Sequence, residues 1–188
     1  MIGYTMALAG VRNGVPYLHS HATGVLPSYR DRGVGRRLKL FQREEALGRG
    51  IRLVEWSFDP LETRNAHFNL NRLGAICRRY IPNLYGITTS PLHRGLPTDR
   101  LMAEWHLDSA HVNAALAIEG KQLPEAGAVV TIPKELEGWK ANDPPKVEAV
   151  QATARRQFME WFAKGHAAVA IRQAAAGPEY VLVPWGDF

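Results

Sequence analysis

The chain has one cysteine, Cys77, among its 188 residues. That excludes an internal disulfide and a multi-cysteine metal site. No apolar run approaches the ~20 residues that span a bilayer, so no membrane partner is expected. The opening MIGYTMALAGVRNG has no basic segment leading into a long apolar one, and a cytoplasmic location is the expectation. Seven histidines are present without a His-x-x-x-His pair or a carboxylate cluster, so no metal is expected. No Gly-Lys-Ser/Thr closes a nucleotide-binding loop. No Ser-His-Asp constellation, internal repeat or low-complexity tract can be read from the chain.

What is present is ordinary in bulk and uneven in detail. Hydrophobic residues make up 46% and charged ones 22%, a composition that suits a globular domain with a proper core. The formal net charge is +5. Residues 29–52 hold eight basic side chains (Arg30, Arg32, Arg36, Arg37, Lys39, Arg43, Arg49 and Arg52) against the acidic Asp31, Glu44 and Glu45. The whole excess therefore sits in one stretch, and an anion is the partner it would seek. A solvated helix face accounts for the charge equally well. A nucleic-acid partner is not expected, because no aromatics interleave the arginines to stack bases.

Residues 3–9 and 15–25 read as strands joined by Arg12-Asn13-Gly14, a strong hairpin signal. Residues 33–47 read as a helix with Val34, Leu38 and Phe41 on one stripe and Leu40 and Leu47 beside it, stopped by Gly48 and Gly50. A strand at 51–58, a helix at 63–73, a strand at 75–84 broken at Pro82, and a strand at 100–107 follow. This order predicts an α/β (α+β) fold with right-handed crossovers and a parallel pair. Residues 108–145 read as loop with one strand at 128–133, and Asn142-Asp143-Pro144-Pro145 as a break. A helix at 146–164 and strands at 167–172 and 180–183 complete the chain. The expected organisation is a core over 1–110, a loop-rich connection over 111–145, and a C-terminal helix with two strands over 146–188 packed on the same domain.

Arg30-Asp31-Arg32-Gly33-Val34-Gly35 lies between a strand and a helix. Two glycines let the backbone turn tightly and approach a ligand. The first N–H groups of a helix lack partners, and its dipole places partial positive charge there. Such a site captures phosphate.

GVLPSYRDRGVGRRL resembles the acyl-CoA-binding motif of the GNAT N-acyltransferases, an apolar residue and a proline followed by Arg/Gln-x-x-Gly-x-Gly/Ala. The segments IRLVEWSFDP, ETRNAHFNLNRLGA and AICRRYIPNLYG are similar to the rest of that core, in order, so the resemblance covers residues 3–107. The C-terminal part is similar to the extension of an uncharacterised bacterial branch, in which amino acids are plausible acceptors. The resemblance implies a mixed, mostly antiparallel twisted sheet with a central splayed parallel pair and helices on both faces. It implies transfer of acetyl, or another acyl group such as succinyl, from coenzyme A to a small primary amine by direct attack on the thioester. A non-catalytic acyl-CoA-binding module is the alternative.

At residue level the resemblance implies the following. Arg30 and the N–H groups of Arg32, Gly33, Val34, Gly35 and Arg36 would hold the pyrophosphate. The pantetheine arm would run beside Val25 and Leu26, and the Leu26 N–H would polarise the thioester carbonyl. Arg36, Arg37 or Lys39 would reach the ribose phosphate, and Asn65 would meet the coenzyme arm. The base sits, in one branch, at the position of His19, with His21 on the same face; histidine titrates in the right range. A strand histidine bonded to backbone is the plainer reading. A tyrosine that many family members use to protonate the thiolate is replaced by Leu70, which leaves Tyr80, Tyr85 or water for that task. Asn69 and Asn71 beside it read as capping or solvent-facing residues.

The family's usual first strand, two helices and next strand have no counterpart before residue 3. The expectation is a shortened or mis-started chain, with the uncovered sheet face taken by the helix at 146–164 or by a second copy in a homodimer. Cys77 precedes Arg78 and Arg79, which would lower its pKa, although a structural cysteine fits as well. Arg94 and Arg100 would bind an acceptor carboxylate, or else pair with Asp99.

Overall fold

The computed structural model describes residues 1–86, 96–117 and 123–186. Eight strands form one sheet, and in sequence they are β1 (Gly3–Arg12), β2 (Val15–Val25), β3 (Leu53–Phe58), β4 (Ile76–Ile81), β5 (Arg100–His106), β6 (Ala128–Thr131), β7 (His166–Ala174) and β8 (Gly177–Pro184). Their spatial order is β1-β2-β3-β5-β4-β7-β8-β6. Every neighbouring pair is antiparallel except β2 and β3. This is the mixed, mostly antiparallel sheet with one parallel pair that the resemblance implies.

The β1–β2 hairpin turns on Asn13 and Gly14, whose φ angles of 49° and 78° are the left-handed pair that an Asn-Gly turn supplies. Helix α1 (Val34–Gly48) carries the chain from β2 to β3, and α2 (Thr63–His67) continues as a π-helical turn over Phe68–Arg72 before β4. In that turn the Leu73 N–H reaches back five residues to the Phe68 carbonyl at 3.1 Å. The wider turn is held by Asn71, whose side-chain amide exchanges two hydrogen bonds with the backbone of Ile171 on β7. Asn71 is thus a strand-like clamp, not a solvent-facing cap.

Two helices occupy the stretch expected to be loop, α3 (Ala110–Ala117) and α4 (Leu136–Asn142). Ser109 starts α3 by accepting from the Val112 N–H at 3.2 Å. The predicted break at residues 142–145 is the start of α5 (Pro144–Ala163). Asp143 caps it by accepting from Lys146 N at 3.3 Å, and Pro144 fills the first helical position.

The main apolar cluster joins α1, α2 and α5 to the sheet. It includes Ala46, Trp56, Leu70, Trp105, Phe158 and Tyr180. Phe158 stacks on Tyr80 and meets Tyr180 edge to face. Helix α5 thereby packs against β4, β6 and β7, while Leu8 on β1 remains more than half exposed. A second cluster of Ile76, Ala167, Val169, Ala170 and Val181 packs with Leu123 and Trp185. Cys77 is fully buried, and burial pushes its thiol well up. The neighbouring arginines do not activate it; they point to Glu55 and Glu104 instead. No described helix is long and apolar enough to cross a membrane.

Candidate functional site

The site is made where β2 and β3 part. Only Leu18–Val54 and His19–Glu55 pair across the parallel seam. From Ser20 onward β2 still pairs with β1 but has no strand on its β3 side. A cleft of about 960 Å³ opens there. Its walls are Ser20–Val25 of β2, Trp56 and Ser57 of β3, the loop and first turn of α1, and Asn65, Phe68 and Asn69 of the second helix.

The floor of the strand carries an extra residue. Met6 faces Ala22 and Ala7 faces Ser20, so His21 is a bulge without a partner on β1. His19 and His21, two residues apart on the strand, have ring centres 6.4 Å apart. Of the two, His21 lines the cleft. Burial, followed by the nearby His21, lowers the pKa of His19 and keeps its imidazole neutral near pH 7.

The loop after β2 turns through a short 3-10 segment, Pro27–Tyr29, and reaches α1 by way of Asp31 and Gly33. Gly33 has φ 75°, a conformation that a side chain strains. A Cβ on Gly33 or Gly35 would meet nothing within 4 Å, so both glycines face open space at the cleft mouth. No side chain caps α1, and among the described residues the N–H groups of Val34, Gly35 and Arg36 find no backbone acceptor. An uncapped helix start lined by glycine is suited to an anion.

The basic residues around it divide. Arg30 donates from Nε to the Val25 carbonyl at 3.2 Å and ties the loop to the strand end. Arg32 lies over the Tyr29 ring, and Arg37 is exposed. Asp31 pairs with Arg64 of α2 across the cleft mouth. Arg36 lines the cleft but donates to the Leu116 carbonyl, and Arg43 is held by Leu107 and Asn113. Lys39 does not point to solvent at all. It is 3% exposed and lines the cleft from below.

Helix α1 therefore turns a different stripe inward from the one its apolar pattern predicts. Phe41 is 60% exposed, and the buried positions are Lys39, Gln42 and Ala46. The spacing 35, 39, 42, 46 is helical and was available as a signal, but it is a stripe of small and polar residues.

Other expected residues lie as follows. The Leu26 N–H already donates to the Ile2 carbonyl at 3.0 Å, because β1 starts opposite it; it is not free to polarise a carbonyl. Val25, Asn65, Arg30 and Gly33–Arg36 all line the cleft. Tyr85 is exposed, and its hydroxyl bonds Ser57 Oγ at 2.8 Å, one step from the cleft. Tyr80 is committed elsewhere. It donates to Asp99 at 2.7 Å, and burial with that bond pushes its pKa far up. Asp99 pairs with Arg155 at 2.8 Å, not with Arg100, which donates to the Asp99 backbone carbonyl. Arg94 lies outside the described residues.

Leu70 is buried in the core, and the π turn presents its neighbour Asn69 to the cleft instead. Asn69 is 1% exposed, and its Nδ2 has no partner. A buried amide donor without an acceptor is rare. Among the described residues no three histidine, cysteine or carboxylate side chains gather as metal ligands.

No family model and no curated protein matches the sequence. Solved structures similar to it include Arabidopsis thaliana Naa50 in complex with a bisubstrate analogue, CoA-Ac-MVNAL (16% identity, TM-score 0.46, 55% of this chain and 64% of that one). Chaetomium thermophilum Naa20 with a bisubstrate analogue matches at 18% identity and TM-score 0.48, over 59% of this chain and 64% of the other. The Escherichia coli ribosomal-protein-S18-alanine N-acetyltransferase matches at 20% identity and TM-score 0.43, over 57% and 63%. The chain thus spans less than two thirds of each. These likenesses concern the path of the chain and assign no role to a residue here.

Proposed function

We propose that the protein is an acyl-CoA-dependent N-acyltransferase of the GNAT type, moving a short acyl group, acetyl in the simplest case, onto a primary amine. The observation that carries this reading is the parting of β2 and β3 after His19–Glu55, which leaves a strand edge leading straight to the uncapped start of α1. An acyl-CoA has the two features such a cleft would take. Its pantetheine amides can pair with an open strand edge, as a peptide strand does. Its pyrophosphate suits the glycine-lined helix start, with Arg30 and Arg32 beside it.

The chemistry draws on the cleft walls and on residues just behind them. The amine must be neutral to attack, because an ammonium has no lone pair. His19 and His21 are the candidate acceptors of its proton, and the lowered pKa of His19 keeps that ring in its basic form. The unpartnered Asn69 amide would donate to the oxygen that gains charge, the task expected of Leu26. Tyr85, through Ser57, would supply a proton to the leaving sulfur.

Calorimetry with acetyl-CoA, and thiol release measured over a panel of primary amines, test the reading. Saturable binding with amine-dependent release is expected. Binding without release would make the protein an acyl-CoA-binding module. Failure to bind any acyl-CoA would end the proposal. Full turnover across pH in both His19→Ala and His21→Ala would remove the histidines from it.

A further inference from the structure

A buried lysine beneath the cleft has no part in the reading above. Lys39 Nζ donates to Ser20 Oγ at 2.9 Å and to Gln42 Oε1 at 3.0 Å, and it faces the Trp56 ring with the centre 3.7 Å away. Three acceptors around three N–H groups suit an ammonium, and the ring face adds a cation–π contact. Gln42 is fixed in turn, since its Nε2 donates to Thr5 Oγ1 at 3.3 Å and leaves Oε1 for Lys39. The bond to Ser20 does not depend on the charge, because an amine still has two N–H groups for the two oxygens.

That bond decides what Ser20 can do. Its oxygen accepts from Lys39, and among the described residues no other group bonds its side chain. Its own proton is left to point elsewhere. Ser20 is 6% exposed, and the open space beside it is the cleft, which it lines together with Lys39. A hydroxyl whose oxygen accepts such a bond is the stronger donor for it, since hydrogen bonds in a chain polarise one another. Position along the strand matters as well. Ser20 stands one residue past the last β2–β3 pair, at the closed end of the cleft. Val25 ends the strand at the mouth, where Arg30 holds its carbonyl. Five residue steps separate the two, roughly 17 Å at the usual strand rise. An extended pantetheine arm is about that long. With its pyrophosphate at the start of α1, it would bring the thioester to Ser20.

We propose that the Ser20 hydroxyl donates to the thioester carbonyl oxygen, as a second donor beside Asn69, and that Lys39 is the positioning residue that turns and polarises it. The proposal rests on the acyl-CoA reading above and keeps the amine's direct attack. The amine nitrogen bonds to the carbonyl carbon, and the carbonyl electron pair moves onto oxygen, where the two donors stabilise it. When the pair returns, the carbon–sulfur bond breaks. The amine gives its proton to His19 or His21, and the thiolate takes one from Tyr85. Ser20 keeps its own proton throughout, and no acyl group is attached to the protein.

The test uses the full chain. Calorimetry with acetyl-CoA comes first, since a wild-type chain that does not bind it would defeat this proposal and the acyl-CoA reading together. Infrared spectra of bound acetyl-CoA, labelled with carbon-13 at the carbonyl and free of amine, then read the bond itself. A donor lowers the carbonyl stretch. Ser20→Ala should reverse part of that shift, Ser20→Thr, which keeps the hydroxyl, should preserve it, and Lys39→Met should reverse a smaller part. With an amine present, Ser20→Ala should lower kcat by roughly a hundredfold while its affinity for acetyl-CoA changes little. A wild-type chain that binds and turns over, with neither the stretch nor kcat altered in Ser20→Ala, would overturn this proposal alone. So would a Ser20→Ala chain whose only loss is in acetyl-CoA affinity, because the hydroxyl would then serve binding and not the transition state.

Discussion

The two sides of the β2–β3 seam handle buried ionisable groups in opposite ways. On one side Glu55 and Glu104, both nearly inaccessible, are fully paired. Arg12 grips Glu55 with two bonds of 2.7 Å, Arg79 joins Glu55 to Glu104, and Arg78 completes the row at 2.7 Å. Burial pushes the Glu104 carboxyl up, but His106 at 3.6 Å and Arg78 outweigh that and hold it at about 2. On the other side Lys39 has a hydroxyl, an amide and a ring, and no counter-charge. The first side keeps its charges by satisfying them. The second has no counter-charge, and burial pushes Lys39 down to about 7. What the difference teaches is which buried charge costs stability: the paired carboxylates keep theirs, whereas the amine without a counter-charge is pushed toward its neutral form.

Two substitutions test that contrast, and two more test the cleft mouth. Arg79→Met should destabilise the fold, because it removes a shared partner of two buried carboxylates at once. We expect a loss of roughly 3 kcal/mol in urea unfolding, moderated by the remaining Arg12 and Arg78. A loss below about 0.5 kcal/mol would mean that water already serves those carboxylates.

Lys39→Met should move stability the other way. The folded chain holds Lys39 near 7, whereas the unfolded chain holds it at 10.5. Folding must therefore strip a proton at any pH between these values, and bury a charge below them. The cost is greatest at and below about pH 7, on the order of 5 kcal/mol, and fades as pH rises toward 10.5. The methionine variant should unfold later than wild type in acid and neutral buffer, with the gap closing in alkali. A gap that does not change with pH would show that Lys39 is not what titrates.

The smallest effects should come from the glycines. Gly33→Ala meets a left-handed backbone and should cost about 1 kcal/mol. Gly35→Ala lies inside a helix with open space around it and should raise the melting temperature slightly, by up to ~1 kcal/mol in stability. Both should weaken acetyl-CoA binding in calorimetry. A Gly35→Ala protein that binds as well as wild type would detach the cleft mouth from the phosphate.

Much of the frame was legible because it is local. Asn13-Gly14 announces its hairpin, and the glycines after β2 announce the entry to α1. Helices α3 and α4 were missed for a physical reason. Their sequences, AHVNAALA and LEGWKAN, are too short or too evenly apolar to show a period, and Ser109 as a cap was the surviving signal. The cleft mouth could be read from its glycines and arginines. The Leu26 donor could not, because its partner Ile2 belongs to a distant segment. Lys39 was expected to reach the ribose phosphate, because a lysine on such a helix ordinarily extends outward; only the packing of Trp56 and Trp105 around it reveals the exception.

The β2–β3 seam has one further consequence. A sheet that parts in its middle gains two inner margins, one on each parted strand, and the one on β2 begins at Ser20. Amide protons along that margin should exchange with solvent far sooner than those facing β1. A bound thioester arm would then behave as a borrowed strand. Its arrival could be timed by deuterium uptake at residues 21–25 alone, without any assay of the reaction.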